Sequence, residues 1–535
     1  MGLVARVFYL SVLDQHFLQH QGDERVVRVI NTPAFRGMIV DRNGFPLAVS
    51  TAVYSVWINP QLFKPDTDDL IEVGQLLEMK TKDLMAIVQR YKKSHKEFVY
   101  LKRSLSPDIG RKIKALSMPG LFTQEEYRRY YPEGEVTAHV VGFTNVDDRG
   151  QEGLELSYNQ WLQGEPGKKR VIKDRLGRVI SDVQNIKEQR PGHDLMLSID
   201  RRIQYLAYRE LLAGVTEYHA KSGTAIVLDT QTGEVLAMVN VPSFNPNHRP
   251  QQMSDVLRNR AVTDSFEPGS TIKAFTVASA LESGKFKTDS VIDTSPGWMR
   301  VDHNVVRDEK NNGPLSMTEI LQKSSNMGVA KMVLSIPANN LWNLLHRIGF
   351  GKITGINFPG EQNGVLTLHR PWGNFMLATL SFGYGLSATP LQLARAYSVL
   401  ANHGVKLPVS LLRVDKAPKG EQVVDGKITA QMLTLLESVV AKGGTAVAAK
   451  VPGYRVAGKT GTAKMATAGG YEKGRYTSSF IGIAPVSQPR LVVAVVLNDP
   501  QGKVYYGGLV SGPIFEKIME GSLRILDVAP DDSTS

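Results

Sequence analysis

The chain has 535 residues, 42% of them hydrophobic and 21% charged, with 48 glycines and no cysteine. These proportions exclude collagen-like, coiled-coil and disordered chains, and at about 100 to 200 residues per domain they predict two to four domains. The missing cysteines remove disulfides, thiolate zinc sites and a cysteine nucleophile, and suit an oxidising compartment. The surplus of 63 basic over 52 acidic residues gives a net charge of +11, too thinly spread to indicate a nucleic-acid partner.

Residues 1 to 20 carry apolar side chains at Val4, Val7, Phe8, Val12, Leu13, Phe17 and Leu18, a spacing that predicts one helix. His16 and His20 lie four apart on it, but no third ligand accompanies them, so no metal is expected. There is no run of about 18 apolar residues and no signal-peptide zoning, so the chain reads as soluble.

From 25 to about 215, strand-like runs (Ser55–Ile58, Val99–Leu101) alternate with polar helical runs such as Asp68–Arg90. Lys168, Lys169, Arg170, Lys173, Arg175 and Arg178 crowd eleven positions, a cluster most simply read as a solvated face. Near 216 the texture changes. Gly223–Asp229 and Glu234–Asn240, joined by Thr230-Gln231-Thr232-Gly233, predict a β-hairpin that opens a second domain over 216–535. Helical segments fill its middle, strands follow at Tyr454–Gly458, Ser479–Ile483 and Leu491–Leu497, and a helix runs from Pro513 to about Ile525. That order predicts an α+β domain in which both chain ends build one sheet flanked by helices, with a ligand crevice where sheet and inserted helices meet.

Three short patterns fall on that crevice. Ser270-Thr271-Ile272-Lys273 follows Glu267-Pro268-Gly269 and opens an apolar run, which places Ser270 at a helix start with Lys273 on the same face. A serine attacks only when a base takes its proton, and lysine serves only if burial or a second cation lowers its pKa. The helix N-terminus would favour an anion beside Ser270; an ordinary helix cap is the alternative. Ser324-Ser325-Asn326 offers a hydroxyl to relay a proton and a carboxamide to hold a substrate amide. Lys459-Thr460-Gly461-Thr462, at the end of a predicted strand, lets a substrate backbone lie close to Gly461 while lysine and two hydroxyls hold a carboxylate.

Each pattern is short, but their order, with gaps of 54 and 135 residues, resembles the active-serine penicilloyl enzymes, which are penicillin-binding proteins and serine β-lactamases. The resemblance extends over nearly the whole chain and is to class B penicillin-binding proteins of the division-specific type. Arg36–Gly44, Arg129-Tyr130-Tyr131-Pro132, His139–Gly142 and Gly150–Glu155 are similar to that family's non-catalytic N-terminal module, here 1–215, which β-lactamases lack. Phe266–Ser270, Phe382-Gly383-Tyr384-Gly385 and Tyr505-Tyr506-Gly507-Gly508 resemble the division enzymes, whose aromatics wall the cleft.

The resemblance implies a peptidoglycan D,D-transpeptidase without cofactor or metal. Ser270 would attack the penultimate D-Ala carbonyl of a stem peptide and Lys273 would take its proton. Ser324 and Lys459 would pass a proton to the departing D-Ala, and an amine of a neighbouring stem would accept the acyl group. Backbone N–H groups of Ser270 and Thr462 would form the oxyanion hole, Thr460 and Thr462 hydroxyls would hold the terminal carboxylate, and β-lactams would acylate Ser270. It further implies a periplasmic enzyme at the inner membrane, partnered by a division-site glycan polymerase, with its membrane helix missing here.

A class A β-lactamase would need a deacylating glutamate four residues before an asparagine, and Glu361, Glu421 and Glu437 all fail that spacing. A D,D-carboxypeptidase and an inactive scaffold stay open. Gly453–Thr460 also fits the P-loop pattern, but the predicted strand and the glycines after it sit in the wrong places for a phosphate cradle.

Overall fold

The computed structural model describes residues 9, 27–173, 179–248, 254–368, 371–467, 470–502 and 504–532. His16, His20 and most of the expected first helix lie outside these residues, as do Arg175 and Arg178.

In the N-terminal module, β1 (Val27–Thr32) pairs with β6 (Gly167–Lys173), which pairs with β7 (Val179–Lys187). Lys168, Lys169 and Arg170 therefore form part of a strand, and Lys169 meets Asp182 of β7 at 3.1 Å. A second sheet runs β8 (Leu195–Met196), β2 (Ile39–Val40), β3 (Pro46–Ile58), β4 (Val99–Leu105), with β5 (Leu121–Tyr130) on the remaining edge of β3. Val56 of β3 is fully buried with Leu70, Val73 and Leu77 of α1 (Thr67–Leu77), Leu84 of α2 (Thr81–Lys93) and Ile113 of α3 (Pro107–Ala115). The expected single helix over 68–90 is thus two helices. Glu78 adopts the left-handed conformation (φ 53°) and ends α1, a stop that leaves no mark in a sequence without glycine there.

The N-terminal motifs converge on one buried carboxylate. Glu155 accepts from Nε of Arg36 and of Arg129, each at 2.6 Å, and all three side chains are at most 1% exposed. Val136 and the motif residue His139 reach the second domain: Gln204 of the helix starting at Arg201 donates to the Val136 carbonyl at 2.8 Å, His139 Nε2 meets the Val256 carbonyl at 2.8 Å, and Asn259 donates to the His139 carbonyl at 3.1 Å.

The second domain holds an antiparallel sheet ordered β10 (Val235–Val241), β9 (Ser222–Asp229), β13 (Leu491–Asn498), β12 (Gly470–Ala484), β11 (Ala457–Thr467). Both ends of the domain supply strands, as the sequence predicts. Helix α4 (Arg201–Glu217) begins before the expected divide at 215 and crosses it, and it packs on β9 and β10 and on α9 (Gly512–Ile525). A Cβ on Gly223 would stand 2.6 Å from Val215 of α4, so that helix presses directly on the strand. Helix α8 (Pro390–Ala401) packs on β9, β12 and β13. Apart from the short helix Gly507–Val510, the remaining helices of the domain are inserted between β10 and β11, and the site forms where they meet edge strand β11. Among the described residues no helix is long and apolar enough to cross a membrane.

Candidate active site

Ser270 lies in a 3-10 turn, Gly269–Ile272, that runs into α5 (Lys273–Glu282). In such a turn residues three apart eclipse one another, which aligns Ser270 with Lys273 more closely than an α-helical start would. The turn is pinned on every side. Gly269 (φ 55°) donates to the Gly383 carbonyl at 3.1 Å, Thr271 Oγ1 donates to the Pro268 carbonyl at 2.9 Å, and the buried Tyr397 hydroxyl donates to the Thr271 carbonyl at 2.7 Å. Ser270 itself stays partly exposed.

Lys273 and Lys459 are both 0% exposed, and among the described residues neither has a carboxylate partner within ion-pair distance. They converge on one hydroxyl: Ser324 Oγ lies 3.1 Å from Lys273 Nζ and 3.0 Å from Lys459 Nζ. Lys273 also donates to the Ser324 carbonyl at 2.6 Å, and Lys459 to Thr460 Oγ1 at 3.2 Å. Burial without a counter-ion disfavours the ammonium form. It lowers Lys273 to about 7, against the opposing pull of Asp308 and Glu309. Lys459 is pushed far below its ordinary value by burial and by the Lys273 charge. The pair therefore offers a neutral amine near pH 7, within one hydroxyl of a second amine.

Ser324 occupies the left-handed region (φ 55°) between α6 (Met317–Gln322) and α7 (Asn326–Leu334), within the helical middle of the domain. Asp308 fixes this break. Its carboxylate accepts from Ser325 Oγ at 2.5 Å and from the backbone N–H groups of Asn326 at 2.6 Å and Met327 at 2.9 Å, capping α7. The Asn326 carboxamide donates to the Arg307 carbonyl at 3.0 Å. Sequence reasoning missed Asp308, because it stands alone after strand Asn304–Arg307 in no recognisable pattern.

Lys459 is the third residue of β11, not the end of a strand at Tyr454–Gly458 as expected. Residues 454 and 455 are held elsewhere: the Tyr454 hydroxyl donates to the Val528 carbonyl at 2.6 Å, and the Arg455 N–H to Asp531 at 2.7 Å. No helix follows Lys459, since β11 continues to Thr467; this excludes the P-loop reading. Gly461 lets β11 lie against the serine turn, because a Cβ there would stand 2.4 Å from Ser479 Oγ and 3.0 Å from the Pro268 carbonyl. Thr462 Oγ1 accepts from the Gly507 N–H at 3.0 Å, and Thr460 Oγ1 pairs with Thr445 Oγ1 at 3.1 Å.

Tyr505 stacks between Tyr476 (4.2 Å) and Tyr506 (4.7 Å), in the segment that leads into Gly507 and so beside Thr462. Tyr384 stands on the other side of the serine turn, edge-on to Tyr471 at 5.9 Å. Glu267 ties these parts together: it accepts from the Gly385 N–H at 3.0 Å and from the Tyr471 hydroxyl at 2.9 Å. The three sequence patterns thus meet in one cleft with aromatics at both flanks.

Known proteins place this architecture in a class. Residues 223–520 match the penicillin binding protein transpeptidase domain, and residues 31–197 the penicillin-binding protein dimerisation domain. The chain belongs to the penicillin-binding protein transpeptidase family. It is 43% identical to the peptidoglycan D,D-transpeptidase FtsI of Escherichia coli K12, over 100% of this chain and 91% of that protein. It is 42% identical to a probable peptidoglycan D,D-transpeptidase, PbpC, of Pseudomonas aeruginosa, over 99% of this chain and 94% of that one. Among solved structures, a peptidoglycan synthetase from Bifidobacterium adolescentis superposes with a TM-score of 0.74 at 28% identity, over 95% of this chain and 98% of that one.

Proposed function

We propose that this protein is a peptidoglycan D,D-transpeptidase working through an acyl-enzyme on Ser270, with a non-catalytic module that gives way to the catalytic domain near residue 200, where α4 begins. The observation that carries this reading is the pair of buried lysines without counter-ions meeting at Ser324 Oγ. A structural core has no use for two such groups, since burying an unpaired ammonium is costly. A serine nucleophile needs a neutral amine close by, and Lys273, lowered to about 7, meets that need.

In this reading Ser270 Oγ attacks the penultimate D-Ala carbonyl of the donor stem and Lys273 takes its proton. The oxyanion forms against the backbone N–H groups of Ser270 and Thr462, donors each worth about a hundred- to a thousandfold in rate. Ser324 relays a proton from the lysine pair to the departing D-Ala nitrogen, and Asn326 orients the donor amide. Thr462 Oγ1 already accepts from Gly507, so its own O–H is free to donate to the terminal carboxylate, with Thr460 behind it. Tyr384, Tyr505 and Tyr506 wall the donor. An amine of a second stem then displaces Ser270, and β-lactams are trapped at the acyl stage.

Slow hydrolysis of that acyl-enzyme fits the three glutamates between the second and third patterns, all engaged elsewhere: Glu361 accepts from Thr354, Glu421 pairs with Lys406 and Glu437 pairs with Arg455. The likeness to the Escherichia coli FtsI supports a septal role at the periplasmic face of the inner membrane, with a glycan polymerase and other division proteins as partners. Intact-mass analysis after benzylpenicillin tests the chemistry: one persistent adduct mapping to Ser270 is expected, and none in Ser270→Ala. Labelling that survives the substitution, or an adduct lost within minutes, would overturn this reading.

A further inference from the structure

A β-hairpin, Trp298–Val301 paired with Asn304–Arg307, leads straight into Asp308, the residue that caps α7 and fixes the break at Ser324. Alternation along its strands gives it two unlike faces. Val301 and Val306 turn inward and are buried with Met327 and Ala330 of α7. The tip is pinned where Asp302 accepts from the Phe375 N–H at 3.0 Å. The outer face carries Trp298, 54% exposed, and Val305, 40% exposed, which stand opposite Arg307 and Arg300 in the ladder. Both arginines are exposed, and among the described residues neither has a carboxylate within ion-pair distance. An open aromatic ring, an apolar neighbour and two unpaired guanidinium groups on a rigid support have the composition of a recognition surface rather than of a solvated edge.

We infer that this face holds the sugar end of the donor, an acylated amino sugar together with an acidic residue of the stem attached to it; the inference rests on the transpeptidase reading proposed above. The C–H face of a sugar ring is apolar and lies flat on an aromatic ring such as Trp298, while a stem carboxylate takes charge-assisted hydrogen bonds from Arg300 and Arg307. The reach agrees. An extended pentapeptide stem sets its sugar about 14 Å from the carbonyl that reacts, about four residues at roughly 3.5 Å each. From the site outward, the Asn326 carboxamide donates to the Arg307 carbonyl at 3.0 Å, and Trp298 stands directly across the ladder from Arg307, where paired Cα atoms are about 5 Å apart. These steps set the Trp298 ring on the order of 15 Å from Ser324. The hairpin is thus placed to hold the stem's far end while Asn326, on the same support, meets its amide.

The test is a competition for Ser270, read as the slowing of acylation by a fluorescent penicillin. Two monovalent probes are compared: the free stem pentapeptide ending in D-Ala-D-Ala, and the same stem on its N-acetylglucosaminyl-N-acetylmuramyl disaccharide. Each comparison is a ratio of two inhibition constants in one protein, so it does not depend on that protein's own acylation rate. In the wild type the disaccharide probe should inhibit about tenfold more strongly than the free stem. Trp298→Ala should remove most of that advantage and leave the free stem unchanged, and Trp298→Phe, which keeps a flat ring, should retain part of it. The Arg300→Gln/Arg307→Gln double variant should weaken both probes alike, about three- to tenfold, because the carboxylate belongs to the stem. Equal inhibition by the two probes in the wild type, an advantage that survives Trp298→Ala, or unchanged inhibition in the double variant would overturn the inference and leave the face for a protein partner. Absence of any penicillin label on Ser270 of the wild type would instead overturn the transpeptidase reading beneath it.

Discussion

Replacing Ser324 separates the chemistry of the site from its conformation. Its hydroxyl is the one group that both buried lysines share, at 3.1 and 3.0 Å, and its backbone sits in the left-handed region at φ 55°. Ser324→Ala removes the hydroxyl and keeps the backbone strain. Lys273 retains the Ser324 carbonyl at 2.6 Å and Lys459 retains Thr460 Oγ1 at 3.2 Å, so each amine keeps one partner. The stability cost is then that of hydrogen bonds to buried amines, about 1 to 3 kcal/mol. Ser324→Gly removes the same hydroxyl but relieves the strain, which returns about 1 kcal/mol. The glycine variant should therefore melt above the alanine variant. Both should react with a fluorescent penicillin about a hundred- to a thousandfold more slowly than wild type, because both lack the hydroxyl proposed as the relay. Stopped-flow acylation beside thermal melting reads both quantities. The reasoning is refuted if either variant acylates within about threefold of wild type, or if the glycine variant recovers rate along with stability, which would make Ser324 a structural residue only.

Other consequences follow from the same geometry. Because burial lowers Lys273 to about 7, the acylation rate should rise about tenfold per pH unit below that value and level off above it; a flat profile from pH 5.5 to 8 would exclude Lys273 as the base. The unfolded chain holds this proton up to the ordinary lysine value of 10.5 while the folded protein has released it by about 7. Stability should thus rise with pH across that window by up to about 1.4 kcal/mol per unit, a component that urea titrations of Lys273→Met should lack. Asp308→Ala strips the cap from α7 and frees Ser325, so melting should fall by several degrees and acylation about tenfold, whereas Asp308→Asn, which keeps an acceptor for the Asn326 and Met327 N–H groups, should recover most of the stability.

The site was legible where chemistry demands residue types in a fixed chain order, and illegible where it demands only position. Ser270, Lys273, Ser324, Asn326 and Lys459 stand in short patterns whose joint order is informative, and the fold brings the three patterns to one cleft. Asp308 and Glu267 do their work through single contacts to other parts of the chain, and an isolated acidic residue carries no local signal. The sheet was readable for a similar reason: Leu491–Leu497 is an unbroken apolar run because it is buried on both faces. β11 was misplaced by several residues because Gly458, Lys459 and Gly461 are poor strand formers on propensity alone, and are held in the ladder by pairing with Gly482, Ile481 and Ser479.

The N-terminal motifs argue the same point from the structural side. Arg36, Arg129 and Glu155 lie up to 119 residues apart, yet close into one buried ion triad. Such a triad adds little net stability over a well-packed apolar core, but removing Glu155 leaves two buried guanidinium groups without their carboxylate, typically at a cost of about 3 to 5 kcal/mol. It therefore fixes one arrangement of the segment before β2, β5 and the segment around Glu155 against alternatives. From the next motif over, His139 and Asn259 carry hydrogen bonds across to Asn240 of β10 and on to Thr224 of β9, the latter steps at 2.9 and 3.0 Å. The N-terminal module is in this way joined to the sheet that carries Lys459 through the buried polar side chains of Asn259, Asn240 and Thr224.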